Sequence, residues 1–440
     1  MNAGLIRYVL ILSAIGIVLS SCNPDPEPVA LKQRYFVKLY GGLLQEEGFD
    51  ILQTADGGFI IAGSSNTPGI SQNDNKDIYV LKVNAIGDEE WVFNYGGSQD
   101  DVGSSILEKS DQTGYIVAGY HGFDNGNTSA VVLELDLNGN QVGNELLFNT
   151  DPSFSTGADD IKEIAVGEYL VTGITTNVNK NKGDFAEDTH DILTFIIQNG
   201  VIQTQSVLGF SSADFGVGGN VVFRGNTPVN DEFLIMGTAN DSPLQNQDQS
   251  NKSDNVLVFT VRLDNGILTS PINGPTFGYP GRNQKAEEIR RINSGYVIVG
   301  ESDGAGKDIL FLKIGDNNSN SEQFKDEIDL AGGDDVGVSI KQLIQGQFIL
   351  AGNTNSFTNA DNDIFLLKLD ANGNVFQDWI TEPRTFGFSG EDKAEKVIVT
   401  NDGGFAVVGT ITIDGSSPDD QNRNTMICLI KTDSEGRLGE

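Results

Sequence analysis

ILQTADGGFIIAG, residues 51–63, consists of an apolar strand, a polar glycine turn, a second apolar strand and a closing glycine. Met once, its glycines could cradle a ligand. The same pattern returns as ILEKSDQTGYIVAG (106–119), IKEIAVGEYLVTG (161–173), VVFRGNTPVNDEFLIMG (221–237), IRRINSGYVIVG (289–300), IKQLIQGQFILAG (340–352) and VIVTNDGGFAVVG (397–409). Successive closing glycines stand 52 to 64 residues apart, and self-similarity at such a period marks a repeat architecture. At 344–346 and 165–168 the turn reads IQG and AVGE, so Asp-Gly-Gly is dispensable there. That is the behaviour of a hairpin turn and not of a binding loop.

A third apolar run follows each hairpin, as in DIYVLKVNAIGD (77–88), SAVVLELDLNGN (129–140) and DIFLLKLDANGN (363–374), and then a weaker fourth such as EEWVFNYGG (89–97). Alternating or continuous apolar runs with no helical period make each unit four antiparallel strands, which is a propeller blade. The expected fold is an all-β, seven-bladed β-propeller. Its blades are expected at about 43–97, 98–150, 151–210, 211–278, 279–330, 331–388 and 389–440. The seventh unit has no fourth strand of its own before Glu440, whereas RYFVKLYGG (34–42) is a spare strand at the other end. Pairing the two closes the ring and leaves no exposed edge at the junction.

Residues 1–21 are expected to lie outside the fold. Arg7 precedes the apolar run YVLILSAIGIVL, which is short for a membrane span and suited to a signal-peptide core. Leu19-Ser20-Ser21-Cys22 resembles the bacterial lipobox, and that resemblance implies cleavage before Cys22 and lipidation of its thiol. Asn23-Pro24-Asp25-Pro26-Glu27-Pro28 favours extended polyproline II, so 22–33 reads as a tether. Cys428, in the apolar run MICLI, is then the one remaining thiol, which excludes an intrachain disulfide and suits a buried small hydrophobe.

The balance of 28 basic against 62 acidic residues, a formal net charge of -34, excludes a phosphate-backbone partner by repulsion. It is compatible with cations, cationic partners or neutral glycans. The bilayer is expected to be touched through acylated Cys22 alone, and the ring is expected to be monomeric.

The recurring string of Gly-Gly, Asp-Asp, Ile, then DGGF-IIAG, then D-I-x-x-L-K-L-D-x-x-G resembles the propeller-forming repeat of secreted and surface lipoproteins of Gram-negative bacteria, over nearly all of 34–440. The resemblance implies an outer-membrane location, periplasmic or surface-exposed, and it speaks to fold and not to function. Trp91 and Trp379 each follow a third-strand turn, somewhat as in the tryptophan-docking repeats of quinoprotein-type propellers. Five blades lack the Trp, so a quinone-type cofactor is not implied. Outer-membrane assembly lipoproteins share that propeller type, and the likeness implies protein binding.

Strand order assigns the loops to faces. First-to-second and third-to-fourth connections (TADGG, NAIGD, DLNGN) are short and lie on one face. Second-to-third and blade-to-blade loops lie on the other, and several of these are long and polar, among them TTNVNKNKGDFAEDTHD and TANDSPLQNQDQSNKSDN. Long loops on a rigid scaffold carry recognition, so binding is expected on that face. Five residues before the lead apolar residue of the first strand stand Glu46, Asp101, Asp335 and Asp392, with Gln284, Thr156 and Gly216 in the other blades. Such a ring either caps turns by accepting backbone N–H groups or gathers oxygens for Ca²⁺.

Other chemistries fail on spacing. Asp303-Gly304-Ala305-Gly306-Lys307-Asp308 lacks the first glycine and the Ser/Thr of a phosphate loop. DANGN and DLNGN have Gly at the fourth position, where an EF-hand needs it at the sixth. His121 and His190, read as loop residues, cannot furnish a three-His zinc site, and no Gly-x-Ser-x-Gly is present. The expectation is a membrane-anchored, noncatalytic binding or scaffold lipoprotein that makes protein or glycan contacts through its long-loop face. The alternative is a carbohydrate-active propeller enzyme using carboxylates on that face.

Overall fold

Side chains alternate between the two faces of a strand, and in Phe59–Ser65 both faces are apolar. Phe59 and Ile61 pack with Phe36, Tyr79 and Ile427 on one side. Ile60 and Ala62 pack with Ile106, Val117 and Val131 on the other. A strand buried on both faces needs a sheet on either side, and a ring of sheets supplies this at every position. The computed structural model describes residues 35–42, 44–67, 75–148, 154–176, 190–208, 221–223, 232–239, 254–264, 266–269, 275–279, 281–304, 306–316, 321–357, 361–388, 390–413 and 424–439. The expected leader, lipidation residue Cys22 and tether lie outside them, as do Gly216 and the middles of the longest loops.

Seven antiparallel sheets follow one another along the chain, each in sequential strand order from the first strand outward. The first strands are Glu46–Gln53, Val102–Glu108, Thr156–Ala165, Val221–Phe223, Gln284–Ile292, Asp335–Gln342 and Lys393–Val399. They are innermost: each lies beside the first strands of the blades before and after it, and Glu46–Gln53 touches both Val102–Glu108 and Lys393–Val399. The expected closure is present. Phe36–Tyr40 pairs antiparallel with Thr425–Thr432 as the outer strand of the seventh blade, Phe36 opposite Lys431 and Tyr40 opposite Ile427.

The opening motif is a hairpin. Thr54 N donates to the Gly58 carbonyl at 3.0 Å, and Gly57 takes a φ of +83° that a side chain would strain. Asp56 accepts from the Thr54 hydroxyl at 2.6 Å and from Gly58 N at 2.8 Å, while the buried Lys82 ammonium reaches its other oxygen at 2.9 Å. The closing glycine has a separate cause. Each first strand except the fourth carries a β-bulge: Gly48 pairs with Gly63 and Asp50 with Ala62, which leaves Phe49 unpaired. The same extra residue is Ser104, Asp159, Glu287, Val338 and Glu395 in blades 2, 3, 5, 6 and 7. Beside the bulge the first strand presses on its neighbour, so a Cβ on Gly63 would overlap the Glu47 carbonyl and one on Gly119 the Val102 carbonyl. In the six blades whose described residues carry the bulge, the repeat ends in Gly because there is no room for more.

Two regions depart from a plain four-strand blade. In blade 4 the outer edge is in two pieces, Ile267–Thr269 and Thr276–Phe277, both paired with Asn255–Asp264. In blade 6 a short α-helix, Gln377–Thr381, precedes the outer strand Arg384–Phe386 and carries Trp379. Trp379 is buried against Gly436 of the next blade, with the Arg384 guanidinium 4.9 Å from its ring centroid. Trp91 meets Gly139 of blade 2 in the same way, and Phe311 meets Gly373. Docking an aromatic on the next blade's third-to-fourth turn is a device of the junction, and it uses Trp only where the space allows. Cys428 is fully buried, and burial holds its thiol well above the usual range.

Candidate functional site

The expected ring is built into the turns. Asp101 accepts from Gly97 N at 2.8 Å and Gly122 N at 3.1 Å, and bonds His121 Nδ1. Asp335 accepts from Leu330 N at 2.9 Å, from the Thr354 hydroxyl at 2.5 Å and from the Ser356 hydroxyl at 2.9 Å. Asp392 accepts from Phe388 N at 2.6 Å and Thr412 N at 2.8 Å. Gln284 does the same with neutral chemistry, accepting from Tyr279 N at 3.0 Å and donating to Ser302. Thr156 accepts from Ala130 N at 2.9 Å. Glu46 accepts from the hydroxyls of Ser65 and Thr67, and its Oε2 has no hydrogen-bond partner among the described residues. All six side chains are buried. Asp101, Gln284, Asp335 and Asp392 each tie the preceding blade-to-blade connection to the end of the second strand of their own blade. No group of three or more His, Cys, Asp or Glu able to hold a metal ion occurs among the described residues.

Burial holds the Asp392 carboxyl up, to about 6, against its two N–H donors, with Asp363 and Glu391 adding to the shift. Asp335 is raised by burial also. His121 is raised mainly by its bond to Asp101. It stands inside the strand Gly114–Gly122 and not in a loop, and His190 opens the strand His190–Gln198.

The residues that face the axis lie three and four positions further along the same strands. At the bulge are the carboxyls of Asp159, Glu287 and Glu395, from blades 3, 5 and 7. Burial raises Asp159 to about 7, with Asp160 adding to it. Burial also raises Glu395 to about 8, with Glu287, two blades away, and Glu47 of blade 1 adding to it and Lys393 and Lys285 opposing. Glu287 is raised although Lys285 lies 2.7 Å from it. The carboxyls of Glu287, Glu395 and Glu47, from separate blades, are near enough for Glu395 to be repelled by the other two. They sit toward the long-loop end, because the first strand runs from that face to the short turns. Tyr120 belongs to this mouth: burial raises its phenol, and Glu47 and Asp159 are the next causes.

One step deeper is a mixed layer. Asp50 accepts from Ile106 N at 3.0 Å and from the Ser105 hydroxyl at 3.1 Å, both of the next blade. Glu288 accepts from Ile340 N at 2.6 Å and Ser339 at 3.0 Å, and Ser339 accepts from Val397 N at 3.1 Å. The bulge frees these N–H groups from their own sheet, so a belt of side chains stitches each blade to its neighbour. Glu288 also meets Arg290 at 2.5 Å, Lys396 at 2.8 Å and Lys341 at 3.3 Å. Burial pushes its carboxyl up, but Arg290, Lys341 and Lys396 outweigh burial and hold it well below the usual range. Lys162 pairs with Asp160 at 2.6 Å.

These axial residues were not among the expected site residues. The signal for them was a charged couplet before the lead apolar residue in three blades: Asp159-Asp160 before Ile161, Glu287-Glu288 before Ile289, Glu395-Lys396 before Val397. A strand of strict alternation would put one member of each couplet in the core, and only the bulge allows both to face polar surroundings.

No protein-family model and no curated protein matches the chain. Solved structures do. A polysaccharide lyase, an ulvan lyase, superposes with a TM-score of 0.52 at 10% identity, over 90% of this chain and 96% of that one. A puromycin hydrolase superposes at 0.51 and 11% identity, over 91% of this chain and 54% of that one. A protein of unknown function from Dyadobacter fermentans gives 0.47 at 9% identity, over 90% and 99%. At these identities the likeness is one of propeller fold.

Proposed function

We propose that the chain is a lipid-anchored, noncatalytic binding propeller of the outer membrane, held through Cys22, which takes a protein partner on its long-loop face. The partner presents a Lys or Arg side chain to the channel mouth. The observation that carries this reading is the suppressed acidity of three carboxyls at that end of the inner strands, Asp159, Glu287 and Glu395, of which Glu395 is repelled by Glu287 and Glu47 of other blades. A guest cation relieves the repulsion among them and restores their charge, so its binding is strengthened by what it relieves. Capture from detergent-solubilised membranes tests the reading. The wild-type chain is expected to retain a partner that elutes with salt, and the triple variant Asp159→Asn, Glu287→Gln, Glu395→Gln is expected to lose it. Equal capture by both would refute the mouth as the site. Labelling with palmitate, lost in Cys22→Ala, tests the anchor separately.

A second reading, a carbohydrate-active enzyme, draws support from the raised carboxyls of Asp159 and Glu395. A carboxyl that stays protonated near neutrality is a general acid in waiting, and Tyr120 stands near Asp159. Release of new sugar ends from acidic or neutral polysaccharides, abolished by Asp159→Asn, would establish it. A full panel without turnover would dispose of it.

A further inference from the structure

The deeper layer of the channel carries more positive charge than it can satisfy. Arg290, Lys341 and Lys396 come from three successive blades and share one carboxylate, Glu288. The other two carboxylates of the layer are occupied: Asp160 by Lys162, Asp50 by the Ser105 hydroxyl and backbone N–H groups. Lys341 makes the weakest of the three contacts, 3.3 and 3.5 Å to the two Glu288 oxygens. Arg290 Nε is buried without a hydrogen-bond partner among the described residues. Yet solvent reaches all three side chains, which are 25%, 20% and 18% exposed for Arg290, Lys341 and Lys396. A chain with a net charge of -34 has thus placed four cations, Lys162 included, against the three carboxylates Glu288, Asp50 and Asp160 in this layer, and three of the four cations crowd on Glu288.

We propose that this layer is an anion site, in which Lys341, Lys396 and Arg290 together bind one small oxyanion, a sulfate or a carboxylate group, beside Glu288. The ligand supplies the missing counter-charge and an acceptor for the Arg290 Nε–H, and a planar or tetrahedral oxyanion suits a guanidinium flanked by ammonium groups. Burial and then Arg290 hold the Lys341 ammonium well below the usual lysine range. Glu288, shared with Arg290 and Lys396, does not make up for this. The inference does not depend on the partner proposed for the mouth.

Calorimetric titration of the full chain tests it with two probes, sodium sulfate and sodium glucuronate, against sodium chloride at matched ionic strength. Saturable heat with either oxyanion and none with chloride is expected. Tighter binding of sulfate marks a free inorganic ion as the guest, and tighter binding of glucuronate marks an acidic sugar. Lys341→Met and Lys396→Met are each expected to weaken binding at least tenfold; Lys341→Met should melt no lower than wild type, since burial and Arg290 disfavour its charge, whereas Lys396→Met, which gives up the 2.8 Å contact with Glu288, should melt lower and still fold. NMR of the ¹³C-methylated lysines gives a second readout: the Lys341 signal, identified by its loss in Lys341→Met, should titrate at higher pH when sulfate is present. Absence of heat with both oxyanions, unaltered affinity in the two folded variants, or a Lys341 titration indifferent to sulfate would each overturn the proposal.

Discussion

Two sets of acids on the same inner strands, three or four residues apart, have opposite roles. In the capping set Asp101, Asp335 and Asp392 sit in sealed turns where each carboxylate meets at least one backbone N–H group. The axial set at the bulge, Asp159, Glu287 and Glu395, is held up mainly by burial, with Asp160 adding to it at Asp159 and Glu287 and Glu47 adding to it at Glu395. Composition does not separate them, since both are Asp and Glu in repeat-equivalent places. What separates them is whether the backbone offers donors. A tight blade junction does; a bulge that faces a channel offers them one residue further on.

The comparison can be broken most forcefully at Glu288, which is axial and yet fully partnered. Glu288→Ala should cost about 4 kcal/mol in urea unfolding, because it strands three cations and the Ile340 N–H. A loss below about 1 kcal/mol would show that axial placement, and not partnership, decides. Asp335→Leu should cost about 3 kcal/mol, through the unsatisfied Leu330 N–H and the two hydroxyls. If Asp335→Asn recovers most of that, the cap acts as an acceptor and its charge is incidental.

Acidity offers a subtler test. Asp392 at about 6, Asp159 at about 7 and Glu395 at about 8 all hold protons that the unfolded chain releases near pH 4. The folded state therefore binds more protons, and stability falls as pH rises from about 4 through 8. His121 acts in the same direction, because the stability from its raised pKa is present below 6.5 and lost above the folded value. Asp56, lowered to about 2, and Glu288 oppose this only below about pH 4.5, as they become protonated. Differential scanning calorimetry should thus find the melting temperature highest near pH 5 and several degrees lower at pH 8.5. A maximum at pH 8 would contradict the assignment of both sets. The smallest effect is expected at the bulge: Glu395→Gln should change stability by less than about 0.5 kcal/mol at pH 6 and raise it at pH 9, where the wild-type carboxyl must ionise in place.

Much of the architecture was legible because its causes are local. TADGG had to be a hairpin: Gly57 supplies the positive φ, and Asp56 caps its own turn. The spare strand Phe36–Tyr40 could be placed because its pattern matches a fourth strand and the last blade lacks one. Trp379 does follow the third-strand turn, and the short helix on which it sits, packing its indole against Gly436 and Arg384 at the blade junction, was not legible. The carboxylate positions of the capping ring were legible, and their donors were not, since the partners come from turns and strand ends that only folding brings near.

By itself, the sequence determined the number of blades, their strand order and the face on which the long loops lie, because period-two alternation and turn chemistry act within a few residues. Tertiary structure alone decided which acids share a channel with Arg290, Lys341 and Lys396. The β-bulge moves each inner strand's register by one residue, and closure of the ring then brings together side chains separated by hundreds of positions, Asp50 and Lys396 among them. Repulsion and burial act over that assembled distance, and a linear pattern cannot encode them residue by residue.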